Sequence, residues 1–170
     1  MILKLFKIYL TLLFFSFSIV TANEIENLSV SGNKRISKET IQVLGNINLD
    51  ENFNNEKINE ILKNLYKTNF FEDVKISVDA KILLITVKEN PIIQNILISG
   101  IKKDELKELL LDKMTLKNRS SFTNYRLQND LNLLDNILKQ GGYYFAKIEP
   151  LVDINDDNNL NVLDVVILID

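Results

Sequence analysis

The 170 residues carry 20 Lys and Arg against 23 Asp and Glu, a net charge of −3, and 46% are hydrophobic, enough for one or two small globular cores. The sequence has no Cys and no His, which excludes thiol nucleophiles, disulfides, thiolate or imidazole metal ligands and the usual general base. The acidic balance also argues against a nucleic-acid partner, whose phosphates call for clustered Lys and Arg.

Lys4 and Lys7 flank a short charged start, and Ile8 to Val20 run almost wholly apolar. At 1.5 Å per residue that run makes roughly 20 Å of helix, short of the ~30 Å hydrocarbon core of a membrane. It therefore fits a cleaved export signal, residues 1–22, better than an anchor. Val20-Thr21-Ala22 supplies the small residues that a signal peptidase reads, placing the cut between Ala22 and Asn23. Loss of Lys4 and Lys7 takes the net charge from −3 to −5.

Residues 23–90 form a first unit. Leu28 and Val30 alternate as a half-buried strand, and Ser31-Gly32 ends it in a turn. Ser37 is the expected N-cap of a short helix, with Ile36 and Ile41 spaced as a hydrophobic staple and Gly45 as its stop. A second helix starts near Asn54 or Asn55, where Glu56 complements the macrodipole. Its apolar stripe is Ile58, Ile61, Leu62, Leu65 and Tyr66, with Leu62 expected at the buried centre. Asn69-Phe70-Phe71 breaks the pattern. Val74, Ile76 and Val78 alternate as a strand, Asp79-Ala80-Lys81 turns, and Ile82 to Glu89 returns before Pro91 closes the unit.

Residues 91–170 repeat the order. Ile93 to Ser99 is a strand, and Asp104 is the expected cap of a helix carrying Leu106, Leu109 and Leu110 on one side. A longer helix begins at Thr123, with Phe122 and Leu127 as a staple and Leu127, Leu131, Leu134 and Leu138 as its buried stripe. Gly141-Gly142 ends it, and Tyr143-Tyr144-Phe145 leads into a strand through Ile154. Asp156-Asp157-Asn158-Asn159 is a turn, and Leu160 to Ile169 is the last strand.

The two units align directly. Ile25-Glu26-Asn27-Leu28-Ser29-Val30-Ser31-Gly32 returns 68 positions later as Ile93-Gln94-Asn95-Ile96-Leu97-Ile98-Ser99-Gly100. The fold class is α+β: two tandem β-α-α-β-β domains, each a three-stranded mixed sheet covered by two helices. If the first strand of each pairs with the third, their parallel connection must be a right-handed crossover, which leaves the second strand as an edge. Such an edge is either blunted or kept open for an added peptide strand. Val74, Lys75, Ile76, Ser77, Val78 and Asp79 are the candidate peptide-binding edge, ranked above Ala146–Ile154 because Pro150 removes a donor there. A proline at Lys75 or Ser77 tests the edge, provided that the N–H it removes faces outward.

Four stretches resemble one known family, the periplasmic POTRA domains of BamA-type outer-membrane protein assembly factors. They are Ser31-Gly32-Asn33-Lys34-Arg35-Ile36, Leu65-Tyr66-Lys67-Thr68-Asn69-Phe70-Phe71-Glu72-Asp73-Val74, Val87-Lys88-Glu89-Asn90-Pro91 and Gly142-Tyr143-Tyr144-Phe145-Ala146. The resemblance covers Glu24 to Asp170 and corresponds to the first two domains of such an arm. It implies a non-enzymatic, exported, periplasmic scaffold that receives unfolded outer-membrane proteins by strand addition and docks accessory proteins, without cofactor. It also implies membrane attachment only through a β-barrel, for which this sequence holds no alternating aromatic-girdled segments.

Other classes fit less well. A two-partner secretion transporter or a division scaffold would use similar modules, the latter normally with an uncleaved anchor. A KH-type RNA-binding domain needs a Gly-x-x-Gly loop between its helices, and the corresponding loops hold Gly45 alone and no glycine. Asp156-Asp157-Asn158 lacks the glycine and distal glutamate of a calcium loop, so a solvated turn is the simpler reading. Phe70-Phe71 and Tyr143-Tyr144-Phe145 are expected in the core rather than as stacking platforms.

Overall fold

The computed structural model describes residues 25–155 and 162–170. They form two separate three-stranded sheets with two helices each. The first unit runs β1 (Asn27–Ser31), α1 (Lys38–Gly45), α2 (Asn55–Lys67), β2 (Phe71–Asp79) and β3 (Ile82–Glu89). The second runs β4 (Ile92–Ser99), α3 (Asp104–Lys113), α4 (Asn124–Gln140), β5 (Ile148–Asn155) and β6 (Val162–Ile169).

Strand order is β1-β3-β2 and β4-β6-β5, each with a parallel first pair and an antiparallel second. The last strand of each unit is thus central and parallel to the first, so the two helices between them form a crossover connection. Both outer strands are edges, so β1 and β4 join β2 and β5 in that condition.

Register carries the core across each sheet. Leu28, Leu83 and Val78 stand in one row, and Val30, Ile85 and Ile76 in the next. Leu28, Val74, Leu83, Ile85 and Val87 pack with Ile41, Ile61 and Leu65, so both helices cover the same face. The second core repeats this with Ile93, Ile96, Ile98 and Ile167 against Leu110, Leu127, Leu134 and Leu138.

The repeated Ser-Gly has a steric cause. Gly32 and Gly100 sit at φ +81° and +91°, where L side chains are strained. A Cβ would lie 2.1 Å from the Val87 carbonyl oxygen at the first and 1.8 Å from that of Ile169 at the second. Each first strand therefore turns by passing directly over the end of the central one.

Three helix caps match expectation: Ser37, Asn54 and Thr123 accept the backbone N–H of Thr40, Lys57 and Arg126 at 3.2, 2.8 and 3.2 Å. Helix α1 ends at Gly45 as expected: it is the buried last residue, leaving room for Ile47 and Ile61, and Asn46 supplies the left-handed turn at φ 53°. Asp104 does not cap α3. Lys103 holds that position with no side-chain cap, and Asp104 stands in the first turn.

Helix phases shift as well. Ile61 and Leu65 form the buried line of α2, while Leu62 is half-buried beside it and Tyr66 exposed. On α3 only Leu110 is buried; Leu109 faces solvent. On α4, Leu131 is half-buried and Asp130 takes a buried place in the stripe. Its carboxylate accepts the N–H of Thr115 and of Leu116, each at 2.8 Å, so it closes the α3–α4 loop from inside. Periodicity registers Asp130 as polar and misses this.

Candidate functional site

The Val74–Asp79 stretch is the outer part of β2, and no strand of the sheet pairs with its far side among the described residues. Antiparallel pairs alternate between residues that exchange ladder bonds and residues whose N–H and C=O point away from the partner. The hairpin closes on Asp79↔Ile82, so Asp79, Ser77, Lys75 and Asp73 bond inward to β3. Val74, Ile76 and Val78 then direct their backbone groups outward. A proline at Lys75 or Ser77 would break the ladder rather than the edge, which corrects the sequence-based test.

Side chains divide the other way. Val74 is buried and Ile76 and Val78 are half-buried against the core, on the helix side. Lys75, Ser77 and Asp79 are exposed on the open face, where Lys75 pairs with Asp73 at 3.5 Å. The edge thus offers an apolar border on one face and a polar one on the other.

One edge donor is already engaged. Val74 donates its N–H to the Tyr66 hydroxyl at 3.0 Å, and that hydroxyl reaches Asp73 Oδ1 at 3.5 Å. The contact independently supports the outward direction of Val74 N–H. Tyr66 lies in the last turn of α2, and the following corner is tightly built. Thr68 Oγ1 donates to the Leu65 carbonyl at 2.6 Å and accepts from Phe70 N at 3.1 Å. Beyond Asp73, a register shift at Glu72 interrupts the pairing.

The alternative edge begins at Ile148, later than Ala146. Lys147 and Asp170 exchange backbone bonds at 2.9 and 3.1 Å, so alternation turns Ile148, Pro150 and Val152 outward. Pro150 therefore occupies a position where the missing N–H costs no ladder bond. The β4 edge is covered by its own chain: Ile93 N bonds Ser120 O at 3.0 Å, Arg119 N bonds Ile93 O at 2.7 Å, and Ile96 N bonds Asn118 Oδ1 at 2.8 Å.

Three of the recognised stretches converge where the first unit meets Pro91. Glu89 is buried, and its Oε1 accepts the N–H groups of Lys34, Arg35 and Ile36 at 2.8, 3.0 and 3.1 Å. Its Oε2 faces Arg35 Nε at 3.0 Å, an ion-pair contact rather than an aligned hydrogen bond. Burial pushes the Glu89 carboxyl up, but those three N–H groups and the Arg35 guanidinium outweigh it and hold it below its ordinary value. Arg35 Nη2 also donates to Asn90 O at 2.8 Å, while Asn90 donates to Phe70 O and, through Nδ2, to Asn69 O. Pro91 O accepts from Phe122 N at 2.8 Å. Glu89 and Asn90 hence lock the post-β1 loop to the α2–β2 corner, and Pro91 carries the chain directly into the second unit; as sequence, they were a boundary signal alone.

The aromatic corners behave differently from one another. Phe71 is core and meets Phe70 edge-on at 6.4 Å, with Phe70 at the surface. Tyr143, Tyr144 and Phe145 are not core: they form a turn before β5, and Phe145 is 95% exposed. With Gly100–Lys103 they line a groove of about 620 Å³. The physical reason is that β5 starts only at Ile148, so this corner projects beyond the sheet. The Ala22–Asn23 cleavage site and the Asp156–Asn159 turn lie outside the described residues. Among the described residues no cluster of acidic side chains suits a metal ion, and no helix is long and apolar enough to cross a membrane.

Comparison with known proteins places this geometry. The POTRA family, described as "Surface antigen variable number repeat", matches over residues 23–90 and again over 91–170. The chain is 28% identical over 152 residues to the outer membrane protein assembly factor BamA of Neorickettsia risticii, covering 89% of this chain and 20% of that protein. It is 29% identical over 120 residues to BamA of Buchnera aphidicola, covering 67% of this chain and 19% of that protein. It thus spans about a fifth of the length of these curated relatives. In fold it resembles the N-terminal domain of Omp85 from Thermosynechococcus elongatus (TM-score 0.53, 12% identity, 84% of this chain and 61% of that one). It also resembles POTRA1-2 of Omp85 from Anabaena (TM-score 0.50, 12% identity, 85% and 93%). The repeated strand-and-glycine turn, the two mixed sheets and the twofold family match together show that the chain belongs to the POTRA family and carries two consecutive copies of its repeat.

Proposed function

We propose that this chain is a periplasmic scaffold of outer-membrane β-barrel protein assembly, and that β2 receives extended segments of unfolded client proteins by strand addition. The observation that carries the reading is the β2 edge, where Ile76 and Val78 present outward backbone groups between an apolar and a polar border. Backbone pairing satisfies a segment whatever its side chains, as a receptor for many clients requires. The two borders suit strands that alternate apolar and polar residues, the pattern of transmembrane barrels. Relatives named as outer membrane protein assembly factors support the same reading.

The finer assignments follow from it. Export proceeds by cleavage after Ala22, and the two repeats divide at Asn90–Pro91. Accessory proteins dock on the second unit, where Leu97 and Leu151, 57% and 54% exposed, flank Val166 on the open sheet face. No side chain is assigned a catalytic role.

The test is an NMR titration of the isotope-labelled chain with a peptide of about ten alternating apolar and polar residues, the length of a barrel strand. Saturable shifts along Val74–Asp79 are expected, with weak affinity because the ligand must be ordered. N-methylation of alternate peptide residues should abolish binding in one phase and spare it in the other. Shifts confined to the helices or to Ile148–Asn155 would overturn the β2 assignment.

A further inference from the structure

We propose that Tyr66 is a register stop for the β2 edge, fixing where an added strand ends; the proposal rests on the strand-addition reading above. Pairing through backbone groups alone leaves register weakly specified, since a slip of two residues keeps every side chain on its face. Something besides the ladder has to choose among registers.

Of the outward N–H groups of β2, that of Val74 already donates to the Tyr66 hydroxyl. The phenol comes from α2, next to Leu65, which is fully buried, so its Cα is anchored by the core. Tyr66 is 42% exposed although its spacing puts it in the apolar stripe of α2, and its hydroxyl reaches the strand edge at Val74. An added strand running toward Phe71 finds the Val74 N–H already taken by the Tyr66 hydroxyl. It therefore pairs with Ile76 and Val78 and extends toward the hairpin at Asp79–Ile82. The interruption at Glu72 closes the same end a second time.

Among the described residues the second unit lacks the device. Leu65 and Leu138 each stand three residues before the C-cap of their helix, so Lys139 occupies the place of Tyr66. Lys139 pairs instead with Asp135 at 2.7 Å. The same fold thus carries the stop in one copy only, which marks Tyr66 as a feature of the β2 edge and not of the architecture. The segment selected is short, amphipathic and placed in one register, with its apolar residues beside Ile76, Val78 and the Tyr66 ring.

Amide hydrogen exchange measured by NMR, on wild type and Tyr66→Phe with the alternating peptide used above, tests this. In the free protein the Val74 amide should exchange slowly in wild type and about tenfold faster in Tyr66→Phe. With peptide, Ile76 and Val78 should become protected in both proteins, and Val74 should regain protection in the variant. The added pair should tighten binding about threefold to tenfold. Tyr66→Lys, which copies the second unit, should behave likewise and guards against an effect peculiar to phenylalanine. Protection of Ile76 and Val78 in both proteins, with Val74 unprotected and affinity unchanged in the variants, would overturn the stop while leaving strand addition intact. No protection of Ile76 or Val78 in any of the proteins would overturn strand addition and the stop with it.

Discussion

Gly32 lies so close over Val87 that a Cβ on it would stand 2.1 Å from the Val87 carbonyl oxygen. Gly32→Ala must move the β1–α1 turn off the central strand and also strain a left-handed residue. The expected loss is roughly 2–5 kcal/mol, read as a fall in the urea midpoint at unchanged slope. Gly100→Ala should match it. Gly142→Ala, at φ +90° with nothing within 4 Å, should cost only about 1–2 kcal/mol.

Glu89 makes stability depend on pH in a defined direction. Its carboxyl titrates below the ordinary value when folded, so on acidification the unfolded chain takes up the proton first. Its contribution is complete above the ordinary glutamate range, near pH ~4.3, and is lost as the pH falls through the folded value. Glu89→Gln should destabilise the first unit by roughly 1–3 kcal/mol at neutral pH. Denaturation midpoints between neutral and strongly acidic pH should show the gap to wild type narrowing on the acid side.

Core substitutions should follow the observed helix phase. Leu65→Ala and Leu134→Ala, both at fully buried sites, should each cost roughly 2–5 kcal/mol. Leu62→Ala, half-buried beside that line, should cost less than Leu65→Ala, and Lys63→Ala should stay within about 0.5 kcal/mol. Thermal or urea unfolding ranks the four; an equal loss at Leu62 and Leu65 would contradict the packing.

Asp130 is buried and serves two backbone donors of the α3–α4 loop. Asp130→Ala should destabilise by roughly 2–4 kcal/mol, because the N–H groups of Thr115 and Leu116 lose their acceptor in a dry site. Amide exchange at those two residues should accelerate more than in β4 or β6.

Local chemistry was legible in the sequence. Strands at Leu28, Val74 and Ile96, caps at Ser37, Asn54 and Thr123, and the repeated Ser-Gly turn all depend on near neighbours, and each is where its pattern places it. What escaped depends on partners distant in the chain. Nothing around Glu89 says that it serves Lys34, Arg35 and Ile36, more than fifty positions earlier. The stripe of α2 is wide enough to be turned either way, and only the sheet beneath selects Ile61 and Leu65 over Leu62. Tyr66 counts as apolar by spacing, yet its hydroxyl serves the edge. Tyr143, Tyr144 and Phe145 look like core because aromatics usually are, and their exposure follows from how late β5 begins.

The parallel pairing of first and last strands gives each repeat a mechanical character. In the first unit the chain enters along β1 and leaves along β3, and these are adjacent from Asn27↔Ile82 to Ser31↔Thr86. Tension between those two strands runs across the ladder bonds and loads them in shear, so the rungs must fail together rather than one at a time. The same holds from Ile92↔Val162 to Ser99↔Leu168 in the second. Asn90 and Pro91, bonded to opposite units with no residue between them, pass the load from one ladder to the next. Each repeat is thus a stiff link in itself, joined to the next through the Asn90–Pro91 peptide bond with no slack chain between them.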